Sequence, residues 1–136
     1  MDLKIGDAVS VKKIFSQEEV LAYARSSGDT NPVHFDIEYA AKTTFKDPIV
    51  QGLFVASLFG GLLGSKLPGK GTIHLGQTLQ FLKPIYVNEE IEATIRIISI
   101  RSDKPVITFQ ATCIKENGDI AITGEAVVIY RGENFK

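Results

Sequence analysis

The sequence predicts an α+β fold in which an antiparallel sheet curls around one apolar helix. The first half of the chain carries helix signals and loops, whereas the second half, after Pro68-Gly69, alternates apolar and polar residues with a period of two. Between them lies a glycine-rich apolar run, near Gly52 to Leu63. A period of two marks a half-buried strand, and strands joined by short turns run antiparallel. A sheet with one apolar face must bury it against another layer, and the apolar run supplies that layer.

Ala8 to Phe15 alternates loosely and reads as a first strand. Ser16 follows, with Glu19 three residues later, the signature of a capping box at a helix start. Val20, Leu21, Tyr23 and Ala24 give that helix an apolar face, and Gly28 suits the left-handed position that ends it. A short helix is expected from Ile37 to Lys42. Pro48 precedes the third helix, whose small residues (Gly52, Ala56, Ser57, Gly60, Gly61, Gly64) suggest tight packing, since glycine is otherwise costly inside a helix.

Four apolar sets then alternate. Ile73, Leu75, Leu79 and Phe81 share a face if Gln77 is tolerated on it. The later sets are Ile91, Ala93, Ile95 and Ile97; Ile107, Phe109, Ala111 and Cys113; and Ile120, Ile122, Ala126, Val128 and Tyr130. Ser102-Asp103-Lys104-Pro105 and Asn117-Gly118 supply turns between the last three strands.

The 136 residues suffice for one domain with its own core. The formal net charge is −1 with both signs interspersed, so no basic face for nucleic acid stands out. A single cysteine, Cys113, builds no disulfide framework within the chain and no zinc site, and it reads as a small buried hydrophobe in a reducing compartment. The N-terminus lacks a signal pattern. Ile49 to Leu67 reaches about the length of a membrane span, but Gln51, the glycines and two serines favour a buried central helix. The expectation is a cytoplasmic protein.

The segment Gly28-Asp29-Thr30-Asn31-Pro32-Val33-His34 carries the chemistry-bearing residues. Pro32 fixes its own φ and pushes Asn31 toward extended geometry. Asp29 and His34, five positions apart, thus sit on a short stiff connection between two helices and can point into one cleft. A carboxylate and an imidazole together suit proton transfer to and from a water. No G-x-S-x-G elbow occurs, which favours adding or removing water over a covalent intermediate. Asp29 equally suits a turn, His34 a structural histidine and Asn31 a loop-fixing role, and spacing alone names no reaction. A second element is Val50-Gln51-Gly52-Leu53, where a helix start offers free backbone N–H groups that can hold an oxyanion. Gly52 has no side chain to keep a carbonyl away; it equally suits close packing at a water-capped helix start.

The run Tyr23 to His34, Y-A-R-S-S-G-D-T-N-P-V-H, resembles the hydratase-2 motif of the MaoC-like dehydratases. The chain resembles, more closely, the short single-domain (R)-specific enoyl-CoA hydratases that feed polyhydroxyalkanoate synthesis. Ile49-Val50-Gln51-Gly52, Ala56-Ser57-Leu58-Phe59, Leu67 to Gly71, Leu75-Gly76-Gln77 and Thr123-Gly124-Glu125-Ala126 extend the likeness over nearly the whole chain. The resemblance implies one hot-dog domain over residues 1–136, a homodimer with active sites near the subunit interface, and reversible syn hydration of a trans-2-enoyl-CoA to the (R)-3-hydroxyacyl-CoA. It implies no metal or redox cofactor, coenzyme A being part of the substrate.

By that resemblance Asp29 and His34 hold one water. Asp29 takes a proton as the water attacks Cβ, and His34 assists and delivers a proton to Cα. The Gly52 N–H polarises the thioester carbonyl, and Asn31 supports the pair. The family usually has His-Gly where this chain has Gln51-Gly52; Gln donates and accepts hydrogen bonds but takes no charge near neutral pH. Leu58, Gly60, Leu63 and Val128 are the expected acyl-chain lining, with Gly60 leaving room for longer chains. Lys66, Lys70, Lys83, Arg25 and Lys42 are the basic residues expected at a coenzyme A entrance. Alternatives are a dehydratase acting on acyl carrier protein, a thioesterase on the same fold, for which the Asp-x-Asn-Pro-x-His grouping is not the pattern, and a non-catalytic acyl-CoA sensor. The sensor reading sits poorly with the retention of both Asp29 and His34 and with a length that holds no added DNA-binding segment.

Overall fold

The computed structural model describes residues 2–132. In chain order it contains β1 (Ala8–Ile14), α1 (Gln17–Ser27), a 3-10 turn (Pro32–His34), α2 (Ile37–Ala41), α3 (Gly52–Ser65), β2 (Ile73–Gln77), β3 (Gln80–Phe81), β4 (Glu90–Ile100), β5 (Val106–Lys115) and β6 (Ile120–Ile129). The strands form one antiparallel sheet ordered β1-β4-β5-β6-β2, with β3 also pairing with β6.

The alternating sets of β4 and β5 do what their period predicts. Ile91, Ala93, Ile95 and Ile97, with Ile107, Phe109, Ala111 and Cys113, are all buried. They are joined by Ile122, Ala126 and Val128 of β6 and by Val55, Phe59, Leu62 and Leu63 of α3 in one core. The sheet thus wraps around α3 as the sequence predicts. Cys113 is fully buried there, and burial, reinforced by the Glu89 charge, pushes its thiol up to about 12.

The capping box of α1 is present: Ser16 Oγ accepts from the Glu19 N–H, and Glu19 Oε1 accepts from the Ser16 N–H. Gly28 closes the helix at φ 81°, its N–H donating to the Ala24 carbonyl at 2.9 Å.

Three expectations need correction. Phe15 is not part of β1; it lies past its end, wholly buried against Phe54. The run from Ile73 to Phe81 is split into two strands, and Ile73, Leu75 and Phe81 are 46, 53 and 52% exposed. They do not share a face: the pairing of β2 slips between His74 and Gly76, and Ile73 stands opposite Ile129 whereas Phe81 stands opposite the buried Ile122. β2 also lies at the edge of the sheet, where no further strand of the described residues pairs with it. Nor are the α3 glycines explained by tight packing within the chain. An added Cβ meets nothing within 4 Å at Gly60, Gly61 or Gly64, and only at Gly52 does it meet a neighbour, the Phe81 ring at 2.6 Å.

Candidate active site

The Gly28–His34 segment folds as a chain of local hydrogen bonds. Ser27 Oγ donates to the Tyr23 carbonyl and accepts from the Asp29 N–H at 3.1 Å. Asp29 Oδ1 accepts from the Asn31 N–H, and Asn31 Oδ1 accepts from the Val33 N–H, both at 3.2 Å. Asn31 therefore caps the 3-10 turn, with Pro32 at its first position, where a missing N–H does no harm. These bonds engage Asp29 Oδ1 and leave Oδ2 facing His34.

His34 is 8% exposed and held from behind. Its Nδ1 lies 2.8 Å from the Ile49 carbonyl oxygen. A carbonyl only accepts, so Nδ1 carries the hydrogen, and in the neutral ring Nε2 presents a lone pair. That Nε2 lies 3.6 Å from Asp29 Oδ2. Two acceptors so placed have no direct hydrogen bond to make. A small molecule with two O–H donors satisfies both, and atoms 3.6 Å apart can each sit about 2.8 Å from one shared oxygen. Ile49 is itself fixed: its N–H donates to the Val33 carbonyl, and Val50 N–H donates to the Ile85 carbonyl.

Asp29 and His34 open on a cavity of about 650 Å³. Gln51 and Gly52, at the start of α3, lie on its wall, as do Tyr23, Phe45, Leu53, Val55, Phe81, Leu82 and Ile122. The first N–H groups of a helix have no intrahelical partner, so the Gly52 end of α3 presents donors to the same space as the pair. Tyr23 is set by stacking on Phe54, ring centroids 4.7 Å apart and 14° from parallel.

The other expected residues divide. Lys83 lines the cavity. Lys66 and Lys70 lie past the far end of α3, a helix of 14 residues and hence about 20 Å long, and Arg25 and Lys42 are exposed away from the lining. Leu58, Gly60, Leu63 and Val128 do not line this cavity either. Leu63 and Val128 are core residues, Leu58 packs against the core, and Gly60 is half-buried in mid-helix. The cavity sits at the N-terminal end of α3, not beside its middle. Sequence reasoning missed the Ile49 carbonyl, which carries no side-chain signature, and Phe81, whose ring lies against Gly52. Among the described residues no cluster of His, Cys, Asp and Glu has the makings of a metal site.

Comparison with known proteins shows the family. The family model of the MaoC like domain matches residues 4–118. The chain is 46% identical over 126 residues to an (R)-specific enoyl-CoA hydratase of Aeromonas caviae, covering 93% of this chain and 94% of that one. It is 38% identical to a mitochondrial 3-hydroxyacyl-[acyl-carrier-protein] dehydratase of Solanum lycopersicum, covering 93% and 77%. The solved structure of an (R)-hydratase from A. caviae involved in PHA biosynthesis superimposes with a TM-score of 0.92 at 46% identity, over 93% of this chain and 96% of that one. An R-hydratase from Pseudomonas aeruginosa gives 0.88 at 30% identity, over 93% and 81%. With that much of its length matched and its sheet wrapped around α3 in the hot-dog manner of these hydratases, the chain belongs to the family of MaoC-like dehydratases.

Proposed function

We propose that the chain is an (R)-specific enoyl-CoA hydratase, a carbon–oxygen lyase. The observation that carries the reading is the His34 ring, locked by the Ile49 carbonyl so that Nε2 faces Asp29 Oδ2 across 3.6 Å beside the Gly52 end of α3. A water donating one hydrogen to each acceptor turns its lone pair outward as the nucleophile. It attacks Cβ of a trans-2-enoyl thioester. The electron pair of the double bond moves toward the thioester oxygen, which the Gly52 N–H and the positive end of the α3 dipole stabilise. The Asp29–His34 pair takes one proton from the water and returns one to Cα. Both groups stand on one wall, so hydroxyl and proton arrive on one face and the addition is syn. The protein's own groups do this work without a cofactor. The apolar walls of Phe45, Leu53, Val55 and Ile122 suit the acyl chain, and Lys83 suits a phosphate of coenzyme A.

On addition of crotonyl-CoA the enoyl absorbance should fall, and chiral analysis should find (R)-3-hydroxybutyryl-CoA. The (S) product, or release of free thiol without loss through hydration, would sink the reading in favour of another lyase or a thioesterase. The tomato relative favours a second reading, dehydration of 3-hydroxyacyl groups on acyl carrier protein. Turnover of carrier-bound substrate with a much higher kcat/KM than the coenzyme A ester would decide for it.

The proposal includes a homodimer. Leu53, Phe81 and Leu82 around the cavity and Ile73 and Leu75 on edge strand β2 are 62, 52, 52, 46 and 53% exposed, large apolar side chains at the cavity and on a strand whose outer edge is paired with nothing among the described residues. Light scattering should report twice the 14.9 kDa chain mass; a monomer at micromolar concentration would contradict this. No helix of the described residues is long and apolar enough to cross a membrane.

A further inference from the structure

Gln51 stands immediately before Gly52, lines the cavity, and is 2% exposed. It occupies the N-cap position of α3, yet its side chain makes no capping bond. Its Nε2 instead donates to the Val20 carbonyl of α1 at 3.0 Å, across 31 positions of sequence. Its Oε1 is buried and meets no hydrogen-bond donor among the described residues. A buried amide with half its capacity unmet is a poor choice for stability alone, because a leucine of similar size leaves nothing unpaired. What the amide does supply is one donor in a fixed direction, and that donor ties the first turn of α3 to α1.

The consequence is geometric. Helix α1 ends at Gly28 and hands directly to Asp29, while α3 begins at Gly52. The Ile49 carbonyl that fixes His34 lies two residues before Gln51. The two halves of the site thus come from segments far apart in sequence, and Gln51 bonds one to the other. We infer that Gln51 is a positioning residue: its side-chain N–H holds the Gly52 N–H in register with the Asp29–His34 pair. This rests on the hydratase reading. A neutral imidazole at this position would likewise offer one N–H to a carbonyl.

Three variants test it. Gln51→Leu keeps the volume and removes the donor. Its kcat on crotonyl-CoA should fall about 10- to 100-fold, the scale of a small misplacement of reacting groups, with KM little changed. Its melting temperature should hold or rise, because the orphaned oxygen is gone. Gln51→His restores one donor and should recover most of the rate. Gln51→Glu is near-isosteric and can donate to the Val20 carbonyl only while protonated. The ratio of its kcat to that of the wild type should therefore be highest at acid pH and fall as pH rises. Asp29, His34, Tyr23 and Lys83 share the cavity in both proteins, so the ratio to wild type sets their common contribution aside.

The outcomes separate. Wild-type protein without hydratase activity overturns the functional reading and this inference with it. Active wild type with Gln51→Leu at full kcat overturns the positioning role alone. So does a Gln51→Leu loss that follows melting temperature, or a Gln51→Glu ratio flat with pH.

Discussion

Asp29→Asn and His34→Gln should each lower kcat on crotonyl-CoA by about 10³-fold or more, and the double variant should be little slower than the worse single one. A loss of that size corresponds to about 4 kcal/mol of transition-state stabilisation. It follows from the lone-pair arrangement at the site. With Nδ1 donating to Ile49, the neutral His34 ring offers an acceptor to the cavity, and Asp29 Oδ2 offers another at 3.6 Å. Only the two together hold a water with its lone pair aimed outward. Asparagine at position 29 brings an NH2 that can donate straight to His34 Nε2, closing the gap the water needs. Glutamine at position 34 can meet either the Ile49 carbonyl or the water, but lacks the ring that spans both. Because each substitution dissolves the same arrangement, the losses should not multiply. Losses that do multiply would mean that the two residues act on separate steps, and near-normal turnover in either single variant would refute the assignment. The Asp29 side chain is 42% exposed, so Asp29→Asn should leave melting nearly unchanged and the kinetic effect free of a folding loss.

Much of this site was legible because its residues have local jobs. Ser16 and Glu19 announce the start of α1, and Gly28 its end, through bonds within a few positions. Asn31 and Pro32 announce the 3-10 turn in the same way. Alternation placed the buried sets of β4 and β5, because both strands are interior to the sheet and one face of each meets α3. It failed for Ile73, Leu75 and Phe81. Periodicity assumes an unbroken strand, and here the slip between His74 and Gly76 and the break between β2 and β3 end the alternation on an edge strand. Leu58, Gly60 and Leu63 lie on α3 but off the wall of the cavity, because helical spacing does not say which end of α3 borders the space that Asp29 and His34 reach. Lys66 and Lys70 lie past the other end of the same helix. The Ile49 carbonyl, which sets the His34 tautomer, was out of reach altogether, since every residue has one.

Gly124 is where the fold should tolerate change least, and Gly124→Ala should lower stability by about 3 kcal/mol, near the upper end of ordinary overpacking. The cause is one close backbone approach. Between β2 and β3 the chain continues alongside β6 through Thr78 and Leu79, pinned by a bond from Thr78 N–H to the Glu125 carbonyl at 2.9 Å and from Glu125 N–H to Thr78 Oγ1 at 3.0 Å. A Cβ on Gly124 falls 1.9 Å from the Thr78 carbonyl oxygen and 2.7 Å from its carbon. These are backbone atoms held from both sides, so no side chain can swing away to make room. The Thr78–Leu79 segment must lift, and its own hydrogen bonds go with it. The melting temperature should drop by roughly 10 °C for a chain of this length. Activity should suffer beyond the loss of folded protein, because the lifted segment runs directly into Phe81, whose ring lies against Gly52 at the cavity wall. Gly60→Ala is the matched comparison. Its added Cβ meets nothing within 4 Å, and it sits inside α3, so helix propensity alone should stabilise it by up to about 1 kcal/mol. Equal melting temperatures for the two variants would show that the Thr78–Leu79 segment yields easily, and would remove the reason for a glycine in the Thr123-Gly124-Glu125-Ala126 run.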